Sequence, residues 1–283
     1  DFKRRIRATT EFGLQYNYQM RPEFTRIVAS AGWSYKWGVQ QQRSQHRIDL
    51  LDINYLYMPS IDQTFKEDYL EKDENYILKY NYEDRFIVRT GYSYIYNSAG
   101  RALMNNSGIG NSYTIRLNFE SAGNLLYAVA KLGGMKKNAS GEYTLLNIPF
   151  AQYLKGDFDF AKNLVIDNRN SLAFHFGAGI AIPYGNATML PFEKRYFSGG
   201  ANSVRGWSVR DLGPGSFPGD NNFMNQSGDI KLDASIEYRT RLFWKFRGAL
   251  FVDAGNIWTI RDYKDQPGGQ FEFDKFYKQI AVA

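Results

Sequence analysis

One arginine in a glycine-rich segment, and three carboxylates that follow it, are the residues whose types and spacing most favour specific chemistry. The segment is RYFSGGANSVRGWSVRDLGPG (195–215), and the arginine at its centre, in SVRGW, is Arg205. The three downstream carboxylates are Asp233, Glu237 and Asp253. A guanidinium group presents a planar fork of donors that matches a carboxylate in two parallel hydrogen bonds. These residues therefore predict an ion pair that joins distant parts of the chain.

Catalytic chemistry has little support in the sequence. Nucleophilic catalysis by serine needs a histidine beside it, and the only histidines are His46 and His175. His175 falls on the polar side of a predicted strand, and His46 begins a strand with no evident triad partner. The sequence has no cysteine and no metal-ligand cluster, phosphate-binding loop or cofactor signature. We therefore predict no enzyme activity, no metal and no cofactor.

Composition favours a protein that crosses a membrane with strands. Aromatic residues make up 17% of the chain, with 21 Tyr, 21 Phe and 5 Trp, yet the mean hydropathy is −0.48. No apolar run approaches the ~18 residues that a spanning helix needs. A transmembrane β-barrel combines these properties because apolar and polar residues alternate along each strand. The net charge of +6 is spread along the chain, which argues against a nucleic-acid partner.

Alternation with a period of two recurs along the chain, as strands with one apolar and one polar face require. In RIRATTEFGLQYNYQM (5–20), every second residue from Ile6 to Met20 lies on the less polar face. Similar segments occupy 27–37, 86–96, 113–120, 171–182, 229–239 and 244–254, and weaker ones 46–58, 146–160 and 276–283. Many reach the ~9–11 residues that a tilted strand needs to cross a bilayer. A soluble β-sandwich also alternates, but its strands are usually nearer ~5–6 residues.

The sequence predicts a single outer-membrane β-barrel domain over residues 1–283, incomplete at both ends, with about ten strands. Two intervals interrupt the strand rhythm. The acidic segment 59–76 predicts a loop with a helical turn, and LLYAVAKL (125–132) fits either a short strand or a short helix. The chain stops at AVA, whereas bacterial outer-membrane barrels usually finish on an aromatic residue.

Residues 183–227 form a long loop between two predicted strands. Loops of this length are uncommon in compact folds unless they are functional or disordered. Its large apolar side chains need a surface to pack on, and inside a barrel that surface is the lumen wall. They are Phe192, Tyr196, Phe197, Trp207, Leu212 and Phe217. Gly199, Gly200 and Gly206 permit positive φ, so that Arg205 lies at the tip of a hairpin-like lid. The alternative is an exposed loop, in which an ion pair contributes only ~0–1 kcal/mol.

Three sequence elements in the same order resemble the BamA/TamA superfamily of outer-membrane insertases and two-partner secretion transporters. GGANSVRGW followed by LGPG is similar to that family's V-R-G-[FYW] loop. GDIKLDASIEYR (228–239) resembles its Gly-to-Glu strand, and FVDAGNIW (251–258) contains its F-x-D element. YNYQMRPEFTR (16–26), ESAGNLL (120–126) and LPFEKRYFSGGANS (190–203) are similar to the Bacteroidetes branch, either BamA or a lipidated TamA-like protein.

The resemblance implies a sixteen-stranded barrel preceded by periplasmic POTRA domains, with the loop arginine bound to the F-x-D aspartate in the lumen. It implies that Arg205 pairs with Asp253, that Glu237 lies nearby, and that Phe251 helps to seat the loop. The implied loop-motif residues are Gly199, Gly200, Ser203, Val204, Arg205, Gly206 and Trp207, with Gly228, Glu237, Phe251 and Asp253 as wall partners. Trp207 stands where the family more often has Phe or Tyr.

The resemblance implies a protein of the bacterial outer membrane that folds and inserts other β-barrel proteins by strand templating at an open seam. The alternative within the same superfamily is a secretion channel whose loop acts as a plug or gate. A passive porin accounts for the alternation but not for the three motif elements. Implied partners are unfolded barrel clients, periplasmic or lipoprotein accessory subunits, and the lipid bilayer.

Overall fold

The computed structural model describes residues 7–39, 43–70, 76–99, 110–219 and 225–283. Three predicted segments extend beyond these limits, at positions 5–6, 71–75 and 220–224. All the predicted loop-motif residues and their wall partners lie within the described ranges.

One antiparallel sheet contains ten strands of the described chain, in agreement with the predicted fold class. The strands of this sheet and of a second, two-stranded one are β1 (Arg7–Met20), β2 (Phe24–Val39), β3 (Ser44–Ile61), β4 (Arg85–Asn97), β5 (Ser112–Ala122), β6 (Thr144–Leu145), β7 (Ile148–Pro149), β8 (Tyr153–Val165), β9 (Asn170–Pro183), β10 (Ile230–Arg241), β11 (Arg247–Trp258) and β12 (Ala281–Val282). β6 and β7 form a separate small hairpin. The other strands neighbour one another in chain order, which is the topology of an up-and-down barrel wall.

The helices are short and lie in the connections. They are α1 (Gln63–Phe65), which continues as a π-helical turn (Lys66–Leu70), α2 (Tyr76–Asn81) and α3 (Asn124–Leu132), with 3₁₀ turns at Phe192–Lys194 and Phe276–Lys278. LLYAVAKL is thus a helix, with Ala130 buried and Leu125, Val129 and Leu132 exposed at helical spacing. Within the described ranges, no helix is long and apolar enough to span a membrane.

Strand register keeps one face of the sheet polar and the other apolar. Ile236 of β10 lies opposite Val252 of β11 on the apolar face. The next pair along, Glu237 and Phe251, lies on the polar face. Many side chains on the apolar face are exposed; the side chain of Leu14, for example, is 90% exposed. A large exposed apolar face is costly in water but favourable against lipid, so this face is the one that contacts the membrane.

A β-bulge explains why the alternation in 46–58 is weak. The register of β3 shifts between Asp49 and Asp52, so residues on its two sides occupy opposite parities. As a result, His46 lies on the apolar face of the sheet, among aromatic side chains. Its ring stacks on Trp37 with centroids 4.9 Å apart, and its Nδ1 lies 2.8 Å from the Tyr92 hydroxyl.

Three predicted strands begin or end elsewhere. The segment predicted at 244–254 starts at Arg247, because Trp244 adopts a φ of 52° that a strand does not allow and the Leu242 N–H donates to Phe246 O at 3.1 Å. The strand predicted at 146–160 begins at Tyr153, after the small hairpin. The last predicted strand is reduced to Ala281–Val282.

The two ends of the sheet differ in their connections. The long connections 62–84, 123–152, 184–229 and 259–280 all leave from one end, here named the long-loop end. The tight turns 166–169 and 242–246 lie at the other, the short-turn end, although the tight turn 21–23 lies at the long-loop end. Outer-membrane barrels have short periplasmic turns and longer extracellular loops. By this rule we expect the short-turn end to face the periplasm.

We expect Leu117→Arg to destabilise the barrel by about 2–4 kcal/mol, because Leu117 lies on the apolar face in the middle of β5, near the bilayer midplane. Asn118→Arg is the matched control, since Asn118 lies on the polar face opposite Asp157. Unfolding by denaturant in lipid vesicles, followed by heat-modifiable gel migration, measures both. Equal stability of the two variants would contradict the assignment of the faces.

Candidate functional site

The glycine-rich segment forms a hairpin that projects over the polar face. Gly199 and Gly200 have φ values of 96° and 88°, which glycine adopts without strain. A Cβ on Gly199 would lie 2.1 Å from the Ser208 carbonyl oxygen. Ser198 bridges to Leu212, and the Gly200 N–H donates to the Trp207 carbonyl at 2.8 Å. The doubling back predicted at these two glycines is therefore present.

Gly206 has a different role from the one predicted. Its φ is not positive, so it does not act as a hinge. A Cβ at this position would lie 2.6 Å from the Cβ of Ala283, next to β12. Gly206 is thus needed for close approach of the hairpin tip to the neighbouring chain, and not for backbone freedom.

Arg205 and Asp253 form a two-pronged contact. The Arg205 Nε donates to Asp253 Oδ2 at 2.7 Å, and Nη2 donates to Oδ1 at 2.7 Å. The backbone N–H of Arg205 also donates to Oδ2, at 3.0 Å. Both carboxylate oxygens are therefore satisfied by one residue of the loop, which fixes the loop in orientation as well as position.

Glu237 and Phe251 complete the surroundings of the guanidinium group. The Arg205 Nη1 donates to Glu237 Oε2, and the Arg239 Nε donates to the other Glu237 oxygen at 2.6 Å. The Arg205 Cζ lies 3.6 Å from the centroid of the Phe251 ring, in cation–π geometry. Glu237 and Phe251 are opposite one another on β10 and β11, so the arginine binds two adjacent strands at one level.

Burial makes this contact asymmetric. The Asp253 side chain is 1% exposed, whereas that of Arg205 is 24% exposed. The hydrogen bonds to Asp253 raise the pKa of Arg205 above its ordinary value, so the guanidinium stays charged. A buried carboxylate without its partner is strongly destabilising, while the intact pair adds little net stability. The pair therefore specifies the loop position more than it stabilises the barrel.

The other motif residues support the hairpin from within. Val204 is fully buried, and the Ser203 and Ser198 hydroxyl oxygens lie 3.3 Å apart. Trp207 is half-buried, and its backbone N–H donates to the Val204 carbonyl at 3.3 Å. The tip is consequently a compact turn that presents Arg205 to the sheet.

Gly228 joins the base of the loop to its start. It pairs with Tyr196 through two backbone hydrogen bonds of 2.8 Å. A Cβ on Gly228 would lie 2.6 Å from the Trp258 carbonyl oxygen, so any larger residue would push the loop base away from β11.

Asp233, the third candidate partner of Arg205, lies elsewhere. Its carboxylate is 3.2 Å from Lys231 Nζ and 3.4 Å from His175 Nδ1. The other ring nitrogen of His175 lies 2.6 Å from Asp159. Asp233 faces the polar side as predicted, but at a different level of the sheet, where it joins a separate network.

A second arginine, Arg195, anchors the loop and was not predicted from the sequence. Its fully buried side chain lies 3.6 Å from the buried Asp229 and donates to Gln266 Oε1 at 3.2 Å. Burial raises the pKa of the adjacent Tyr263 to about 12. The Gln266 amide in turn donates to the Ser227 carbonyl at 2.7 Å. The connection 259–280 thus holds both ends of the loop.

Tyr196 and Lys194 form further contacts with the polar face. The Tyr196 hydroxyl donates to Asp157 Oδ1 at 2.5 Å, and burial with this bond raises the pKa of Tyr196. Lys194 Nζ lies 2.9 Å from Glu120, which is also 3.2 Å from Arg89. The sequence signal for these contacts was the cluster EKRY just before the glycines, together with the polar parity of Asp157 and Glu120.

The arrangement is a docking site that joins the loop to the barrel wall. In the described part of the chain, no group of three or more His, Cys, Asp or Glu side chains could hold a metal ion. The arginines and carboxylates instead neutralise one another between loop and wall. Chemically, the site can hold the loop against the sheet or release it.

Comparison with known proteins identifies the family. A family model described as the Omp85 superfamily domain matches residues 3–277. The outer membrane protein assembly factor BamA of Neisseria meningitidis serogroup B (strain ATCC BAA-335 / MC58) is 32% identical over 96 residues, which are 31% of this chain and 12% of that protein.

Two solved structures are similar in fold. BamA from Haemophilus ducreyi lacking POTRA domains 1–3 superposes with a TM-score of 0.59 at 16% identity, over 98% of this chain and 51% of that one. CdiB from Escherichia coli gives a TM-score of 0.43 at 11% identity, over 92% and 41% of the respective chains. This chain thus spans about half the length of the BamA structure that it matches.

The family model and the two BamA matches confirm the resemblance to the BamA/TamA superfamily and the outer-membrane location, whereas the Bacteroidetes branch stays a prediction. The family model covers nearly all of the sequence, including the hairpin, β10 and β11. The chain therefore belongs to the Omp85 superfamily, as part of an outer-membrane β-barrel.

Proposed function

We propose that this chain is the barrel part of an assembly factor that folds and inserts other β-barrel proteins into the outer membrane. The observation that carries the proposal is the hairpin held on the polar face by Arg205, Asp253 and Glu237. The partial identity to a BamA protein supports assembly as the role. The proposed partners are unfolded β-barrel clients, periplasmic or lipoprotein accessory subunits of an assembly complex, and the lipid bilayer.

Strand templating gives the insertion step a physical basis. An unpaired strand edge in lipid leaves backbone N–H and C=O groups without partners, at a cost of several kcal/mol for each group. An incoming strand that pairs with such an edge satisfies these groups in both chains at once. A barrel that opens at a seam therefore lowers the barrier for a client strand to enter the membrane as part of a hairpin.

The docked loop is proposed to brace the wall away from the seam. Arg205 binds β10 and β11, while Tyr196 and Lys194 contact β8 and β5. Arg195 ties the loop to the connection that precedes β12. A loop attached at these points opposes shear between the strands, so that opening is concentrated at the seam.

Charge reversal tests the brace in the full-length protein in its native host. We expect Arg205→Glu and Asp253→Arg each to deplete outer-membrane proteins broadly, because each leaves like charges facing one another. The double exchange should recover part of the loss. Quantitative proteomics of the outer membrane measures the client proteins, and heat-modifiable migration measures the barrel.

The matched control is the exposed pair of Lys36 and Glu11, whose charged atoms lie 2.6 Å apart. Reversal of such a pair should change stability by only ~0–1 kcal/mol and leave client levels normal. If the Arg205 and Asp253 variants deplete one secreted protein while outer-membrane proteins stay normal, the chain belongs to a secretion channel. Wild-type behaviour of all variants would refute the proposed role of the pair.

We further expect Arg205→Met to destabilise the barrel by about 3–5 kcal/mol, because it leaves the buried Asp253 carboxylate without a partner. Arg205→Lys should fall between wild type and Arg205→Met, since an ammonium group keeps the charge but lacks the planar fork. Denaturant unfolding in lipid vesicles orders the three proteins. If Arg205→Met were as stable as wild type, the carboxylate would be satisfied by other means.

A further inference from the structure

The helix α3, at the long-loop end, presents a stripe of apolar side chains to the outside of the molecule. Leu125, Val129 and Leu132 are 73%, 58% and 89% exposed. Their spacing of four and three residues puts them on one side of the helix. Ala130, on the other side, is buried, so the helix packs on the rest of the chain with its opposite face. A surface helix of a soluble protein buries its apolar stripe, whereas α3 leaves one uncovered within the described chain.

The first residue of α3 attaches the helix to the lipid-facing side of the wall. Asn124 Nδ2 donates to Ser121 Oγ at 2.7 Å. Asn124 Oδ1 accepts from Gln152 Nε2 at 2.9 Å and from the Tyr184 hydroxyl at 2.6 Å. Ser121 lies directly opposite Leu154 in the strand register, and therefore on the apolar face. Gln152, two residues before Leu154, has the same parity, so α3 begins on this side of the sheet.

The polar face at the same level is covered by the docked loop. Lys194 Nζ, from that loop, lies 2.9 Å from the carboxylate of Glu120, the neighbour of Ser121. The outer side of the wall is therefore the place left for α3. There its stripe continues the exposed apolar surface of the strands, to which Phe119, Leu154 and Ile182 belong.

Lysines accompany the apolar stripe. Residues 121–141 contain three lysines and no Asp or Glu. They are Lys131, near the end of α3, and Lys136 and Lys137 just after it, and all three are exposed. An apolar stripe with lysines beside it is the pattern of a helix that lies in the plane of a membrane surface.

A groove of about 700 Å³ indents the apolar face below the start of α3. Gly156 lies opposite Phe119 in the register, and its lack of a side chain helps to keep the groove open. The lining includes Phe119, Ser121, Leu154, Ile180 and Ile182. Because this face contacts lipid, an acyl chain is the occupant that the groove fits, with its phosphate group toward the helix.

We propose that α3 lies in the interface of the membrane leaflet at the long-loop end and binds a phosphate-bearing anionic lipid there. Leu125, Val129 and Leu132 enter the layer between headgroups and acyl chains. The three lysines bind the phosphate groups, and one acyl chain occupies the groove. Because Tyr184 is the first residue of the connection that carries Arg205, its bond to Asn124 fixes the height of the docked loop relative to the membrane.

Nitroxide labels test the position of α3 in the full-length protein, in vesicles of phosphatidylcholine containing a minor fraction of phosphatidylglycerol. This chain has no cysteine, so Leu132→Cys adds one labelling site to it. Ala201→Cys, exposed on the docked loop, is the reference for water, and Phe119→Cys, on the apolar face, is the reference for lipid. We expect the ratio of oxygen to nickel-chelate accessibility to be at least about threefold higher at Leu132→Cys than at Ala201→Cys.

Two results of the labelling would overturn the proposal. One is a label at Leu132→Cys that is as accessible to the water-soluble chelate as the label at Ala201→Cys. The other is a label at Leu132→Cys that is shielded from both reagents, which would indicate a protein partner on the stripe.

Lipid retention tests the lysines in the same vesicles. After extraction in mild detergent, native mass spectrometry measures the phosphatidylglycerol that remains bound. We expect Lys131→Gln, Lys136→Gln and Lys137→Gln together to reduce its enrichment at least about fivefold, because each basic residue near a membrane surface contributes to anionic lipid binding.

The matched control replaces the same three lysines by arginine, which keeps the charge, and it should retain wild-type enrichment. Heat-modifiable migration checks that both triple variants fold. Equal enrichment in the glutamine and arginine variants would overturn the proposal.

Discussion

The fork of hydrogen bonds between Arg205 and Asp253 is the constraint on which the rest of the arrangement depends. Asp253 is almost completely buried, so its charge is tolerable only while the loop arginine is present. That requirement brings the hairpin onto β10 and β11, and the hairpin can double back only because Gly199 and Gly200 accept positive φ. The buried carboxylate thus specifies one binding position for the loop on a polar face that carries many other charged groups.

The polar face around this pair is organised as separate charge networks at different levels. Arg205 and Arg239 with Asp253 and Glu237 form one, and Lys231 and His175 with Asp159 and Asp233 form another. Each network places basic and acidic groups side by side, which limits the desolvation cost of carrying so many ionised groups on one face. The apolar face has no such requirement, because lipid accepts its side chains without partners.

Parity along the strands was sufficient to predict the face on which Glu237, Asp253 and Asp233 lie, and the motif order predicted which of them meets Arg205. Parity does not give the level along a strand, which is why Asp233 remained a candidate although it pairs with Lys231 and His175. The bulge near Asp49 and the turn before Arg247 were not predicted. The alternation of apolar and polar residues reveals neither a single extra residue in a strand nor a single residue with positive φ. The contact of Arg195 with Asp229 joins residues across a connection, and no local pattern encodes it.

The backbone bridges of the loop have a consequence for how it assembles. Tyr196 with Gly228, Ser198 with Leu212, and Gly200 with Trp207 are three closures nested one inside another. Closing a ring inside one that is already closed costs little additional chain entropy, because the cost grows only with the logarithm of the remaining length. The hairpin is therefore closed by its own backbone bonds, independently of the contact between Arg205 and Asp253. The pairing of these two residues joins two parts that are each already defined, as in the docking of a ligand.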